Sequence, residues 1–340
     1  MAARLPLPGA RTAPAPFKGA RLLRIDFINV GDGDAVLARE YIRQRLVYTL
    51  LVDCGRETVP PLLGSRRLSA PEYLRAQGVV SIDLMLITHL HPDHFGGMLA
   101  LAGIPVRRVI AGYIPSRETA FVIGKARPSS SRSTRGMYAS LTAYVEGIRR
   151  MRGSGCLTKE AGKIPLSALT RRLTMSIHCP DKSLLARQKA VFGAMESGKR
   201  LPEAILYAVS KERNQSSLRI TLTYAGRRIL LPGDAYGAYW EDEQDARRCD
   251  ILKLPHHGDE KSLTPALMRR LRPSHAVITG LMGDSSKHRP AKKSVALLKR
   301  WRVRISSLEN EKAAELPRAS HQAIVFLIRE SGRIRRQIAE

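Results

Sequence analysis

Aromatic residues are scarce in this sequence: Phe, Trp and Tyr make up 5% of 340 residues, with only two tryptophans. That leaves no obvious stacking platform for single-stranded bases. Cysteine is scarce too. Cys54, Cys156, Cys179 and Cys249 are scattered and form no CxxC pair. A disulfide framework and a thiolate zinc site are therefore not indicated, and a reducing compartment fits. No apolar run approaches the roughly 20 residues that span a bilayer. The first twenty residues, MAARLPLPGARTAPAPFKGA, lack an acid, a serine and a long apolar stretch. They read as a flexible Pro/Ala-rich basic arm rather than a secretory signal or transit peptide, so the expected location is cytoplasmic. Acids are few as well: 30 Asp and Glu face 57 Lys and Arg, for a net charge of +27. Such a balance favours polyanionic partners and disfavours a cationic substrate. Neither a Walker P-loop nor a G-x-S-x-G elbow is present, so nucleotide-driven work and a serine nucleophile are not indicated.

What remains is a chain with 44% hydrophobic residues, long enough to bury a core without staples. After the arm at 1–20, residues 21–340 read as one domain. RLLRIDFINV (21–30), AVLARE (35–40) and RLVYTLLVD (45–53) predict strands, with GDGD as a tight turn. PEYLRAQGV (71–79) predicts a helix, DLMLIT (83–88) a buried strand and HFGGMLALAG the start of another helix. Residues 107–213 read as a basic insertion. Over 107–173 it carries 14 Lys and Arg against three acids, and it includes the Ser-rich basic loop KARPSSSRSTRG (125–136). MYASLTAYVEGIRRMR (137–152) predicts an amphipathic helix, and 181–213 a mostly helical, polar elaboration outside the core. Strands return at LTMSIHCP (173–180) and SLRITLTYAGRRILLPGD (217–234), the latter a hairpin turning at AGRR. DILKLPHHG, HAVITG, RVRISS and QAIVFLIRES follow as strands, with TPALMRRLRP and KKSVALLKRW as helices. Strands in this order with interleaved helices suggest sheets covered by helices.

The chemistry concentrates in THLHPDHFGG. His89, His91, Asp93 and His94 place three imidazoles and a carboxylate within six residues, at the end of a strand. These are nitrogen and oxygen ligands suited to Zn²⁺ or Mn²⁺. His89 and His91 point the same way if the strand continues, and Asp93 and His94 can serve a second ion after the turn at Pro92.

HxHxDH after a strand resembles the signature of the metallo-β-lactamase fold, a four-layer αββα sandwich. Other motifs follow in order across residues 21–336. FINVGDGDAVLA resembles the opening strand of the branch related to ComEC competence DNA-uptake proteins, with Asp32 where that branch has glutamine. LVDCG resembles its first motif, which implies that Asp53 orients the metal loop without ligating. ILLPGDA resembles the Gly-Asp strand end, which implies that Asp234 bridges two metals. LKLPHHGDE resembles the branch's double-histidine motif. The resemblance implies that one of His256 and His257 is the last ligand and the other a transition-state or substrate contact. Which does which stays open, with His257 preferred as the ligand, because neighbours on a regular strand cannot both face one centre. NQSSL resembles N-x-x-S-L, where many relatives of the fold carry a further histidine. None lies between His178 and His256 here, which leaves Asn214 and Ser217 near the first metal and tilts the site toward Mn²⁺. His288, in SSKHRP, resembles a later histidine near the active-site mouth. His178, His275 and His321 read as structural.

The implied activity is metal-assisted hydrolysis through a water activated by two divalent ions, Zn²⁺ or Mn²⁺. Asp93, Asp234, His256 and His288 would be its catalytic residues. A nuclease or phosphodiesterase is the favoured reading, with DNA as the favoured partner and Lys125, Arg127, Arg132, Arg135, Arg149, Arg150 and Arg152 as its backbone contacts. Two alternatives stay open: a small-molecule hydrolase acting on a lactone, ester or cyclic nucleotide, and a metal-bound nucleic-acid-binding module without turnover. A controlling protein partner is not legible in the sequence.

Overall fold

A computed structural model describes residues 21–116, 131–161, 167–279, 290–310 and 316–340. The arm at 1–20, Lys125, Arg127 and His288 lie outside the described residues. In chain order the strands are β1 (Arg21–Ile28), β2 (Val36–Ile42), β3 (Arg45–Val52), β4 (Leu84–Ile87), β5 (Arg108–Ala111), β6 (Leu157–Glu160), β7 (Ser167–Ala168), β8 (Thr174–His178) and β9 (Arg219–Tyr224). They continue with β10 (Arg227–Leu231), β11 (Ile251–Lys253), β12 (His275–Ile278), β13 (Arg304–Ser307), β14 (Glu309–Asn310), β15 (Ala319–Ser320), β16 (Ala323–Arg329) and β17 (Ile334–Ala339). The helices are α1 (Ala70–Ala76), α2 (Pro92–Phe95), α3 (Arg132–Gly153), α4 (Lys182–Glu196), α5 (Glu203–Lys211), α6 (Pro265–Leu271) and α7 (Lys292–Arg300).

Two sheets form. One has eight strands in the order β17-β16-β1-β2-β3-β4-β5-β6, the other seven in the order β13-β12-β11-β10-β9-β8-β7. Strand alternation explains how they stack. In β10, Ile229 and Leu231 enter the core between the sheets, while Leu230 faces the other way, toward Leu267, Met268 and Leu271 of α6. In β1, Leu23, Ile25 and Phe27 share that inter-sheet core, whereas Leu22 and Ile28 join Tyr73 of α1 and Leu141 and Tyr144 of α3. Three apolar layers between four structural ones give the αββα order expected from the motifs.

The described residues of 107–213 correct the sequence reading of this stretch as an insertion. They are not an appendage: β5 and β6 extend the first sheet, and β7 and β8 the second. The stretch at 181–213 is not outside the core either, because Val191, Phe192 and Met195 of α4 and Leu206 and Val209 of α5 pack into the same cluster as α3. Polar outer faces conceal this in the composition, since a helix covering a sheet needs only one apolar stripe. The helix expected from His94 onward is also shorter, a four-residue α2 followed by a 3₁₀ turn over Gly96–Ala100.

The direction of the strands positions the site. β3, β4, β5 and β6 run parallel, as do β10, β11, β12 and β13. Parallel strands collect their C-terminal ends on one edge, where loops can converge. Among the described residues no helix is long and apolar enough to cross a membrane.

Candidate metal centre

The turn after β1 and the ends of β3, β4, β10, β11 and β12 supply the site. The loop that follows β4 is pinned by its backbone. The His94 carbonyl accepts from the Cys54 amide at 2.7 Å, the Asp93 carbonyl from the Asp34 amide at 3.1 Å, and the Gly97 amide donates to Gly55 at 2.9 Å. Two glycines permit this contact. A Cβ on Gly33 (φ 138°) would meet the Asp93 carbonyl, and one on Gly97 the Cys54 carbonyl.

Asp234, at the end of β10, is the hub. Its Oδ2 lies 3.3 Å from His94 Nε2, 3.6 Å from His257 Nε2, and 3.9 Å from both His89 Nε2 and His256 Nε2. Asp93 Oδ2 is 3.8 Å from His257 Nε2. Ligand atoms of His89, His94 and Asp234 converge within one cluster, and those of Asp93, His94 and His257 within another. His91 Nδ1 is 2.8 Å from His89 Nε2. Two imidazole nitrogens that close either share a proton or converge on one cation.

The rings are fixed from behind. Asp53 Oδ2 accepts from His94 Nδ1 at 2.7 Å, so His94 turns Nε2 inward. The same carboxylate accepts from the Thr88 amide and hydroxyl, at 2.8 and 2.7 Å. This is an orienting geometry: Asp53 stands behind the ring, away from Asp234. Thr279 at the end of β12 holds His257 Nδ1 at 2.9 Å, which likewise leaves Nε2 facing Asp234. His256 and His257 both have positive φ, 46° and 56°. Left-handed backbone costs such residues about 1–2 kcal/mol each, and here it turns two adjacent rings toward one centre. His256 is braced by Asn214 Nδ2 at 3.2 Å and stacks edge-on against Tyr236. Ser217 is fully buried, and its hydroxyl accepts from the Asp234 amide at 3.1 Å, so it secures the hub's backbone.

Two residues of the centre lie outside the expected ligand set. Lys253 is buried at the end of β11 and ion-pairs with Asp34, also buried. Its ammonium donates to the Gly233 carbonyl at 3.1 Å and sits 3.5 Å from Asp234 Oδ1. A fixed cation thus already serves the Asp34 side of the cluster. Burial works against the Lys253 charge, but Asp34 and Asp234 outweigh it and hold the ammonium above its ordinary range. Burial opposes the Asp234 charge as well, and His94, His257 and Lys253 outweigh it and keep the carboxylate ionised. Asp234 and Asp53 hold His94 well above the ordinary imidazole range against burial, so a cation at its Nε2, a proton or a metal ion, is favoured there. Burial, reinforced by neighbouring cations, pushes His89 and His91 well below the ordinary imidazole range, so both are neutral with a lone pair to offer.

These residues fit divalent ions. His94 Nε2, His257 Nε2 and Asp234 Oδ1 are buried without a hydrogen-bond partner. Buried polar atoms are normally paired, so three orphans within one cluster point to a ligand they share. Imidazole nitrogen and carboxylate oxygen suit Zn²⁺ or Mn²⁺.

A cavity of about 550 Å³ opens onto the cluster, lined in part by Arg56, His91, Asp93, Arg213, Asp234 and His256. Gly136, Ala139, Ser140 and Ala143 of α3 form another wall. Arg132 lies one turn before Gly136 on that helical face. Arg149 lines a shallower groove with Thr142, and Arg135 lies two turns before Thr142 on the same helix. The basic residues at the far end of α3 are engaged locally: Arg149 and Arg150 pair with Glu146 at 2.9 and 2.6 Å, and Arg152 donates to the Pro115 carbonyl at 2.9 Å. His178 lies 3.8 Å from Asp245 Oδ1, and His275 packs edge-on against Phe326, both away from the cluster.

Asp34, Lys253 and Arg213 carry no sequence expectation, although two of them left a signal. Asp34 belongs to a Gly-rich turn and Lys253 interrupts an apolar strand, where period-two alternation puts it on the inward face with Ile251.

The metallo-β-lactamase superfamily model matches residues 47–120. ComE operon protein 3 of Bacillus subtilis (strain 168) is 22% identical over 302 residues, covering 83% of this chain and 31% of that protein. The chain therefore spans about a third of the length of the curated relative it matches. Among solved structures, an isothiocyanate hydrolase from Delia radicum gut bacteria aligns with a TM-score of 0.45 at 11% identity, over 84% of this chain and 95% of that one. Zn²⁺-bound PqqB from Methylobacterium extorquens aligns with a TM-score of 0.43 at 9% identity, over 84% and 97%.

Proposed function

We propose, starting from the metallo-β-lactamase fold of this chain, that it is a hydrolase that uses two divalent ions, Zn²⁺ or Mn²⁺, to cleave phosphodiester bonds in nucleic acid. The observation that carries this reading is the convergence of Asp93, His94, His257 and Asp234, of which Asp93 and Asp234 line a cavity whose walls hold arginines. Divalent ions, when bound there, would supply a lowered pKa for a coordinated water and Lewis acidity toward a phosphoryl oxygen. His89, His91, Asp93, His94, Asp234 and His257 are the residues that would hold them. Asp53 and Thr279 keep two of the imidazoles in the required orientation. Asp93, partly exposed to the cavity, orients the attacking water and accepts its proton. His256, braced by Asn214, contacts the substrate.

The net charge of +27 supports a polyanionic substrate, as do the motifs resembling the ComEC branch and the match to ComE operon protein 3. The test is cleavage of double-stranded DNA, single-stranded DNA, RNA and bis(p-nitrophenyl) phosphate across a series of metals. Cleavage with Mn²⁺ or Zn²⁺ is expected, lost in Asp93→Ala, His94→Ala protein that still binds DNA in a salt-sensitive way. Intact nucleic acids alongside an opened lactone would overturn the reading. One observation favours that second possibility, a small-molecule hydrolase: the cavity, about 550 Å³, falls in the range that encloses small ligands.

A further inference from the structure

Three arginines among the described residues are buried: Arg39, Arg213 and Arg219. Two have carboxylate partners. Arg39 pairs with Asp26 at 2.6 Å, and Arg219 holds Asp245 through two bonds of 2.7 and 3.0 Å. Arg213 makes no ion pair among the described residues. Its Nε donates to the Ser210 carbonyl at 3.4 Å, and its Nη1 to the Leu90 carbonyl at 3.2 Å and the Ser140 hydroxyl at 3.3 Å. All three acceptors are neutral, and they leave Nη2 without a partner among the described residues. Burying a charge without a counter-ion is costly, so an exception at a cavity wall calls for an explanation.

Placement supplies one. Arg213 lines the cavity that holds Asp93, Asp234 and His256, and Arg56 lines it too. Arg56 is tied to Asp32 at 2.8 Å and keeps 41% of its side chain exposed. Burial lowers the Arg213 pKa only to about 10, against the opposing pull of Asp93, so the guanidinium is charged at neutral pH. Tethered through Nε and both hydrogens of Nη1, it keeps the two hydrogens of Nη2 for a ligand. A charged donor fixed in this way suits an oxyanion far better than a neutral carbonyl, because the hydrogen bond is then charge-assisted at both ends.

We infer that Arg213, assisted by Arg56, forms an anion subsite beside the metal centre that binds the phosphate oxygens of a phosphate-ester substrate. The inference rests on the hydrolase reading above and deepens it: the cavity selects an anionic ester, and Arg213 is the residue that makes the selection. A neutral ester would leave the charge unmatched.

The experiment uses the metal-loaded protein and its Arg213→Gln, Arg213→Lys and Arg56→Gln variants. Kinetics on bis(p-nitrophenyl) phosphate and on the neutral p-nitrophenyl acetate are compared with inorganic phosphate binding by calorimetry, bound metal and melting temperature. For Arg213→Gln, KM for the phosphodiester and Kd for phosphate are expected to rise about tenfold or more, as for loss of a charge-assisted hydrogen bond. Metal content and the acetate kinetics should stay within twofold, and Arg213→Lys should recover part of the loss. A folded Arg213→Gln protein with unchanged KM and Kd overturns the inference, while phosphodiester cleavage by the parent leaves the functional reading standing. If the parent hydrolyses only the neutral ester, that reading fails, and the phosphate Kd alone then decides on the subsite. Should Arg213→Gln melt early, Arg56→Gln decides, and an unchanged phosphate Kd counts against the subsite.

Discussion

Asp53 accepts three hydrogen bonds, from the Thr88 amide, the Thr88 hydroxyl and His94 Nδ1. It supports the centre by orienting His94 and by anchoring Thr88, whose hydroxyl lies 3.2 Å from His89 Nδ1. Replacing it by asparagine keeps the shape but removes the charge that holds the imidazole in place. Asp53→Asn is expected to weaken metal binding by roughly ten- to a hundredfold, the usual consequence of losing such a support. Competition against a chromophoric chelator measures this, and an affinity within twofold of the parent would refute the role. Single residues also show what the sequence exposes. THLHPDH announces itself because three imidazoles and an acid rarely fall so close together by chance. Asp34 leaves only a faint signal, because aspartate in a Gly-rich turn is ordinary turn chemistry. Only its ion pair with Lys253, more than two hundred positions away in the chain, reveals another use.

At the scale of elements, the site is a set of strand ends, and the loop after β4 must lie against the loop after β3. Gly97→Ala would push a methyl group into the Cys54 carbonyl. Overpacking of this kind costs about 1–3 kcal/mol, and here it also displaces His94 from Asp234. A lower denaturation midpoint together with weaker metal binding is expected. Full stability with unchanged affinity would show that the loop yields without cost. The strands that hydrophobic patterning predicted, β1 to β4, β8 to β13 and β16, are flanked on their faces by apolar layers. β5, β6, β7, β14, β15 and β17 were not legible. They lie toward or at the edges of their sheets, where LTKE, SA and IRRQIA meet solvent and need no apolar run. The same logic hid the contribution of α4 and α5 to the core, since their outward faces dominate the composition.

For the whole molecule, the charge of +27 matters through where it is free to act. Arg132 is exposed at the start of α3, on the face that continues into the cavity wall. Arg150 is exposed as well, but it is held by Glu146 at 2.6 Å. Each phosphate neutralised contributes about 0.9 to the slope of log affinity against log salt. Arg132→Gln is therefore expected to reduce the slope for duplex DNA by about that amount, and Arg150→Gln by distinctly less. Fluorescence anisotropy over a salt series distinguishes them, and equal reductions would indicate that the Glu146 pairing is irrelevant to binding.

The pairing of β1 with β16 has a consequence for biosynthesis. Leu22 lies opposite Arg329 and Ile28 opposite Ala323, so the second and third strands of the eight-stranded sheet join segments made roughly three hundred residues apart. While the ribosome works through the intervening chain, β1 has a partner on one side only, β2, and its other edge is bare. The sheet that carries Asp53 and the histidine loop is completed only after β16 has left the exit tunnel. Closure of that sheet is thus a late event, and β1 waits for β16 with an adhesive edge exposed.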